Sequence, residues 1–564
     1  MEIRFIGPLG KVTGSCTWMR DSARDWSFLV DCGMQQGESS EEQWNACDWP
    51  FDPAKLKFVV LTHAHLDHCG LLPVLYKRGF SGPVYCTRET RDLAILLLKD
   101  AAGFPRAAFE VKDVDLIKWH EPQSIPLLGT YHPVGDDLFL RFFRAGHVMG
   151  AVSVSVYWGP RSAQKSIAFS GDLGPSYEDS EHLPFIRFNM QPKPCDFSVI
   201  ESTYGSVVRS PDDRNAEIRR DRLRDLIEVT IKRRGVLVLP AFSLGRTQDV
   251  LFDLHWLVAE NPDRYASVSY LLDSPLAVRM HPVILDGLSR TESNGGHGKV
   301  RSLWMGKQLF RSLGLDDKDQ DHVQRGIQIA TMTLGLAKSP SNNDAALGND
   351  VARAWRPIMR TVTSCRERGV QNPPIATVVV LSSGTCDGGA AAAWLPKLLG
   401  SENTTVALTG YCSPSTIGGK LLRVKDTPLH ERVRLTEKLE WSDENTFPMS
   451  GIRAQVTALT GYSAHADQEG LLDWLFKYHE SQWKLAGRTV FVQHGANFQR
   501  EALESAAMAK AESIGKAISL IRPDSPDCWF DLDRGGEAVA HEEKRRRLLQ
   551  ERHRIERELE EAGV

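Results

Sequence analysis

Paired cysteines are missing from this chain. Ten Cys are scattered over 564 residues with no C-x-x-C spacing, which argues against a zinc ribbon and against the disulfide framework of a small secreted protein. Charge of one sign is missing too. The formal net charge is −4, so no global basic field announces nucleic acid, although a local basic groove is compatible with it. No apolar run approaches the roughly 18 residues of a membrane span, and Met1-Glu-Ile-Arg-Phe-Ile-Gly7 lacks the basic-then-apolar order of a signal peptide. Internal repeats are absent as well. The expectation is a soluble cytoplasmic protein with no membrane partner. What is plentiful is core-forming material: 42% of the residues are apolar, and the length calls for two or more compact units.

Short strand-like runs alternate with helical patterns almost throughout, the texture of an α/β chain. Strands are predicted at 28–30, 58–61, 138–143 and 197–200, then at 235–239, 376–381, 405–408 and 489–492. Helices are predicted over 70–78, over the charged stretch 208–233, and from Gly245 to about Glu260. The polar stretches 289–298 and 338–344 read as mobile loops. The C-terminal segment 536–564 is almost all charge, with Leu548, Ile555 and Leu559 in a narrow stripe, and reads as a solvated helix on its own domain.

The densest chemistry follows the strand predicted at 58–61. His63, His65, Asp67 and His68 stand as H-x-H-x-D-H, all metal-ligand side chains, a pattern this composition yields by chance in about one such sequence in a thousand. The arrangement lets two His reach one metal while Asp67 and the third His reach another. Two metals about 3.5–4 Å apart polarise a phosphate or carbonyl and make hydroxide from water at neutral pH. Two later residues add to the inventory: His147 in Ala145-Gly-His-Val-Met-Gly150 and Asp172 in Ser170-Gly-Asp-Leu-Gly174, each on a glycine-flanked turn after a strand. Glycines there let backbone pass close to a metal cluster. Carboxylates with imidazoles suit two Zn²⁺ ions, with Mn²⁺ the competitor.

In chain order, Asp31, H-x-H-x-D-H, His147, Asp172 and a strand-end His494 resemble the metallo-β-lactamase fold, an αββα sandwich of two sheets flanked by helices. The resemblance implies one metal held by His63, His65, His147 and Asp172, and a second held by Asp67, His68, His494 and the same bridging Asp172. It also matches Asp31 to a position that supports the ligands through hydrogen bonds. Between Asp172 and His494 come Glu201-Ser-Thr-Tyr-Gly205, Pro240-Ala-Phe-Ser-Leu-Gly-Arg246, Asp273-Ser-Pro-Leu276, Ser382-Ser-Gly384 and Gly461-Tyr-Ser-Ala-His465-Ala-Asp467. This set is similar to that of the β-CASP nucleases, in which an inserted α/β cap domain covers the metal site and nucleic acid enters between the two. The implied division is 1–207 and 449–535 for the metallo-β-lactamase domain, 208–448 for the β-CASP insertion, and 536–564 for the charged helix.

Within this resemblance Glu201 is the motif A acid and His465 the motif C histidine. His465 has the chemistry to give a proton to the oxygen leaving phosphorus, and Glu201 could hold its ring and raise its pKa. Arg246, Ser382 and Ser383 are candidate phosphate contacts. One departure stands out. Many members place a motif B histidine a little beyond the pair equivalent to Gly410-Tyr411, whereas here residues 413–421 contain none and Lys420 stands at or near its place. A Lys can bind phosphate as a point charge but does not replace His as an acid–base group. No appended RNA-binding module is visible, so substrate grip must come from the core domains, from a homodimer or larger complex, or from a partner. The expectation is a two-metal nuclease for single-stranded RNA, with Asp67, His465 and Glu201 as its catalytic set and 5′-phosphate ends as the family implies. The alternatives are a single-strand DNA nuclease and a non-catalytic nucleic-acid-binding subunit; a small-ester hydrolase is disfavoured by the long insertion.

Overall fold

The computed structural model describes residues 1–21, 24, 26–36, 44–104, 107–120, 129–175, 183–185, 192, 194–293, 300–336, 350–362, 364, 367–370, 375–476 and 488–538. Two seven-stranded sheets lie face to face. The first runs Glu537–Ala538, Trp529–Asp531, Glu2–Phe5, Thr17–Asp21, Trp26–Val30, Leu56–Val60, Val84–Tyr85 from edge to edge. The second runs Ile518–Ile521, Arg488–Val492, Phe197–Ile200, Lys165–Phe169, Val152–Trp158, Leu138–Arg144, His132–Gly135. Alternate residues interlock between them: Phe28, Val30, Phe58 and Val60 from one side meet Leu140, Phe142, Val154 and Phe169 from the other in one buried cluster. That period of two is the strand's own geometry. The intervening residues, among them Leu29, Val59 and Leu61, face a separate core shared with helices. Both faces are therefore covered, which is why these strands read as unbroken apolar runs. The expected αββα sandwich is observed.

A third sheet is built on different rules. Its order is Met359–Thr361, Ser269–Asp273, Thr377–Leu381, Val236–Pro240, Thr404–Leu408, Gln455–Ala458, and every neighbouring pair is parallel. Parallel strands need crossovers, here the helices Arg246–Glu260, Gly389–Leu398 and others. The inserted lobe rests on the sandwich through Arg88–Ala101 against Pro275–Ser289, tied by Arg88–Asp286 (3.1 Å), Arg279–Asp100 (2.5 Å) and an Arg290–Glu89 pair. Among the described residues no helix is long and apolar enough to cross a membrane.

Local chemistry shifts several predicted boundaries. The helix expected over 70–78 is observed as Leu72–Lys77, and a short helix not expected, Leu66–Cys69, precedes it and carries Asp67 and His68. The charged helix begins at Ala216 rather than 208, because Asn215 caps it through the amides of Glu217 and Ile218 after a turn at Pro211–Arg214. Within the expected loop 289–298, Thr291–Ser293 pairs with Val300–Ser302 as a strand. The loop expected at 338–344 and the charged segment beyond residue 538 lie outside the described residues.

Two buried histidines of the inserted lobe give stability a pH dependence. The His255 and His281 rings donate Nδ1–H to the carbonyls of Leu251 (2.7 Å) and Leu334 (2.9 Å), and burial pushes both pKa values down to about 4. The folded pKa lies below the unfolded one. Their contribution is therefore complete above about pH 6.5 and lost as pH falls toward 4, about 3 kcal/mol for each ring at the acid end. Thermal unfolding between about pH 7.5 and 4.5 should show the melting temperature falling with acid, and a His255→Asn, His281→Asn double variant should flatten that slope.

Candidate metal centre

Parallel neighbours deliver the functional loops to one rim. Val30 pairs with Val60 in parallel register, so Asp31 and the Thr62–His63 loop leave the first sheet together. In the second sheet Phe169 pairs with Val199 and Ile200 with Val492; Asp172, Glu201 and His494 follow these strand ends. The connection between Leu138–Arg144 and Val152–Trp158 supplies His147. His65 immediately precedes the Leu66–Cys69 helix that carries Asp67 and His68.

Close approach of these loops needs glycine at two places. A Cβ on Gly174 would stand 1.4 Å from the Gly146 carbonyl oxygen, beside His147, and one on Gly33 1.6 Å from that of Asp67. Asp31 and His494 are not glycine yet take left-handed backbone, φ 61° and 45°, a conformation that persists only where the surroundings hold it. Asp31 is held by the Thr62 amide (2.8 Å) and hydroxyl (2.9 Å). Ser15 Oγ lies 2.7 Å from His494 Nδ1, and the His494 carbonyl accepts from the Ser202 amide.

Ligand atoms then converge in two groups, His63–His65–His147–Asp172 and Asp67–His68–His494–Asp172, each within 4.8 Å. His63 Nε2 and His147 Nε2 both lie 3.1 Å from His65 Nδ1. Asp172 Oδ2 faces His63 (3.6 Å) and His147 (3.7 Å), while its Oδ1 faces His68 (3.3 Å) and His494 (3.4 Å). One carboxylate thus presents one oxygen to each group. The tautomers suit cation binding. His147 donates Nδ1–H to the Ala464 carbonyl (3.0 Å) and His68 donates Nδ1–H to Asp31 (2.8 Å), which turns each Nε2 lone pair inward. His68 Nε2 and Asp172 Oδ1 are buried with no hydrogen-bond partner, a costly arrangement that a divalent metal would resolve.

Electrostatics agree with this for three of the rings. Burial pushes His63, His65 and His147 down, so these rings stay neutral. Burial opposes charge on His68 and on Asp172 alike, but Asp172, Asp31 and Asp67 raise the ring, while His494, His68 and His63 hold the carboxyl well below the usual range. Beside the centre, His465 Nδ1 lies 3.4 Å from Glu201 Oε1, and its ring centroid 4.4 Å from that of His147. Burial would lower the His465 pKa; the Glu201 carboxylate, with Asp172 and Asp67, outweighs it and raises it. Glu201 is itself fixed by the amides of Leu173 (2.5 Å) and Thr203 (3.2 Å).

Two family models match in tandem, the metallo-beta-lactamase superfamily over residues 9–236 and the Beta-Casp domain over 247–421. The chain belongs to the β-CASP nuclease family of the metallo-β-lactamase superfamily. It is 29% identical to a ribonuclease of Thermus thermophilus over 84% of this chain and 90% of that protein. It is 26% identical to the transcription termination factor FttA of Methanococcus maripaludis and of Methanocaldococcus jannaschii, over 84% and 86% of this chain but 64% and 66% of those proteins.

The β-CASP lobe of this family member places the remaining candidates unequally. Arg246 opens its helix next to the metal loops, since a Cβ on Gly245 would stand 3.2 Å from Val148 Cγ1. Its guanidinium donates to the Thr409 carbonyl, its Nε has no partner, and burial lowers its pKa to about 10. The Ser382 and Ser383 amides are spent on the Asp273 and Gly388 carbonyls, while Ser383 Oγ is buried without a partner. Lys420 sits in the Ile417–Lys425 helix, and its contacts among the described residues include no metal ligand; its charge is felt at Glu437. Two neighbours of His465, Arg209 and Tyr204, and one residue beyond them, Tyr411, were not named as site residues in the sequence reading. Arg209 donates to the His465 carbonyl (2.7 Å) and lies over the Tyr204 ring (5.1 Å). Tyr204 in turn meets the exposed Tyr411 edge-on at 6.5 Å. Tyr204 follows Glu201 closely enough to have been singled out, and Tyr411 belongs to the Gly410-Tyr411 pair; nothing local marks Arg209.

Proposed function

We propose that this chain is a two-metal phosphodiesterase that cleaves single-stranded nucleic acid, RNA in preference to DNA, and leaves 5′-phosphate ends. The observation that carries the reading is Asp172 offering one oxygen to each ligand group with the Glu201–His465 pair alongside. His63, His65, His147 and Asp172 would hold one ion, and Asp67, His68, His494 and Asp172 the other. The donor set of imidazoles and carboxylates favours Zn²⁺, with Mn²⁺ next. When bound, such a pair polarises the phosphodiester and supplies a nucleophile from water at neutral pH.

The protein groups do the rest. Asp31 keeps His68 in the tautomer that points Nε2 inward. Glu201 holds Nδ1–H of His465, leaving Nε2, which faces Asp172 at 3.9 Å, to carry a proton to the departing oxygen. Arg246 and the Ser382–Ser383 turn at the strand ends of the parallel sheet would receive phosphates, and Lys420 is the weakest member of that set. The RNA preference and a cytoplasmic setting draw support from the Thermus ribonuclease and the archaeal termination factors. The domain limits 1–207, 208–448, 449–535 and 536–564 belong to the same proposal, although the strand Gln455–Ala458 pairs with Thr404–Leu408 of the inserted lobe.

The test is cleavage of 5′-labelled single-stranded RNA and matched DNA by protein loaded with Zn²⁺ or Mn²⁺. RNA should be cut, and a chelator should stop the reaction. Faster cleavage of DNA would reverse the substrate preference. Two bound metals per chain with neither polymer cut would leave a binding subunit.

A further inference from the structure

We infer that Arg219, Asp253 and Tyr462 form a buried clamp by which the inserted lobe positions His465. Asp253 Oδ2 accepts from Tyr462 OH and from Arg219 Nε, both at 2.7 Å, and Oδ1 accepts from Arg219 at 3.1 Å. The Arg219 and Asp253 side chains are fully buried, as is Tyr462. The clamp spans two lobes: Arg219 lies on the Ala216–Arg233 helix and Asp253 on Arg246–Glu260, whereas Tyr462 lies three residues ahead of His465.

Arg219 also reaches the Gly461 carbonyl at 3.5 Å, and its side chain occupies the space beside Gly461. Gly461 takes φ 92°, so a Cβ there would be both strained and crowded, 3.1 Å from Arg219 Cγ. One residue earlier, Thr460 Oγ1 donates to Asp213 (2.7 Å) and receives Arg222 (2.6 Å). Beyond His465, Asp467 accepts from Arg214 (2.7 Å) and from the Arg209 amide (3.0 Å). Next to the histidine, Ala464 and Ala466 bond to the metal-bearing lobe, through His147 and the Leu173 carbonyl, as His465 itself does through Glu201. The turn before His465 is therefore shaped by the inserted lobe. His465 meets Glu201 at 3.4 Å, the long end of a hydrogen bond, so a small displacement of that turn decides whether the contact exists.

The inference rests on His465 being the proton donor of the proposed reaction, and the test keeps the two separable. RNA has a poor leaving oxygen that needs a proton; p-nitrophenolate leaves without one. Tyr462→Phe removes one hydroxyl and keeps the packing, and is expected to lower kcat on RNA about tenfold with KM and metal content unchanged, while bis(p-nitrophenyl) phosphate turnover stays within about twofold. Asp253→Asn should show the same split; because it leaves Arg219 buried beside an uncharged amide, its melting temperature is recorded alongside. His465→Ala, measured in parallel, should spare the activated diester in the same way. If Tyr462→Phe slows both substrates equally, or neither, while His465→Ala keeps the split, the clamp is structural and the inference falls. If His465→Ala itself slows both equally, the proton-donor reading falls first and takes the clamp's role with it.

Discussion

Replacing Asp172 by Ala should empty both metal sites together and lower RNA cleavage by at least about 10³-fold. The reason is geometric. Its Oδ2 stands 3.6 Å from His63 and 3.7 Å from His147, and its Oδ1 3.3 Å from His68 and 3.4 Å from His494, so no other single side chain among the described residues belongs to both groups. Metal analysis of the purified variant should read well below the wild-type content, and added Zn²⁺ or Mn²⁺ should not restore activity. Asp31→Ala is the contrast. Among the ligands it touches the outer nitrogen of His68, its other bonds going to Thr62, so metal affinity should weaken about 10- to 100-fold and excess metal should restore most of the rate. If Asp172→Ala kept a full metal complement, the shared-ligand arrangement would be wrong.

His465→Ala should do the opposite: metal content unchanged, RNA cleavage down by about 10²- to 10⁴-fold, the range for losing a positioned general acid. Its Nε2 lies 3.9 Å from Asp172 Oδ2, whereas His63 and His147 approach that oxygen more closely and also sit 3.1 Å from His65. It belongs to neither ligand group. Its ring is instead tied to Glu201, whose carboxylate raises it against the lowering effect of burial. Glu201→Gln should therefore resemble His465→Ala in sign with a smaller loss, because the ring remains but is no longer held by charge. Single-turnover cleavage of RNA beside metal analysis checks both. Loss of metal in His465→Ala would make that histidine a ligand and would remove the proton-transfer assignment.

Much of this was legible in the chain itself, for definite reasons. H-x-H-x-D-H is a local pattern, and local patterns survive without tertiary information. The strand runs were readable because strands with both faces covered are apolar throughout, as 236–240 and 377–381 are. Boundaries were less readable where a single cap decides them, as at Asn215, or where long-range pairing overrides polar composition, as at Thr291–Ser293 with Val300–Ser302.

The chain order of ligand-type residues, the α/β alternation and the motif set of the family were determined by the sequence alone, because each is a property of spacing or of residue type. Tertiary structure alone decided which oxygen of Asp172 faces which group, that His147 and His68 carry their protons outward, that Arg246 lies beside the metal loops while Lys420 contacts none of the ligands, and that Arg209 and the Arg219–Asp253–Tyr462 clamp surround His465. Those are relations between residues tens to hundreds of positions apart in the chain. They follow from parallel strand register bringing several loop ends to one rim, and which strands become parallel neighbours is a long-range relation.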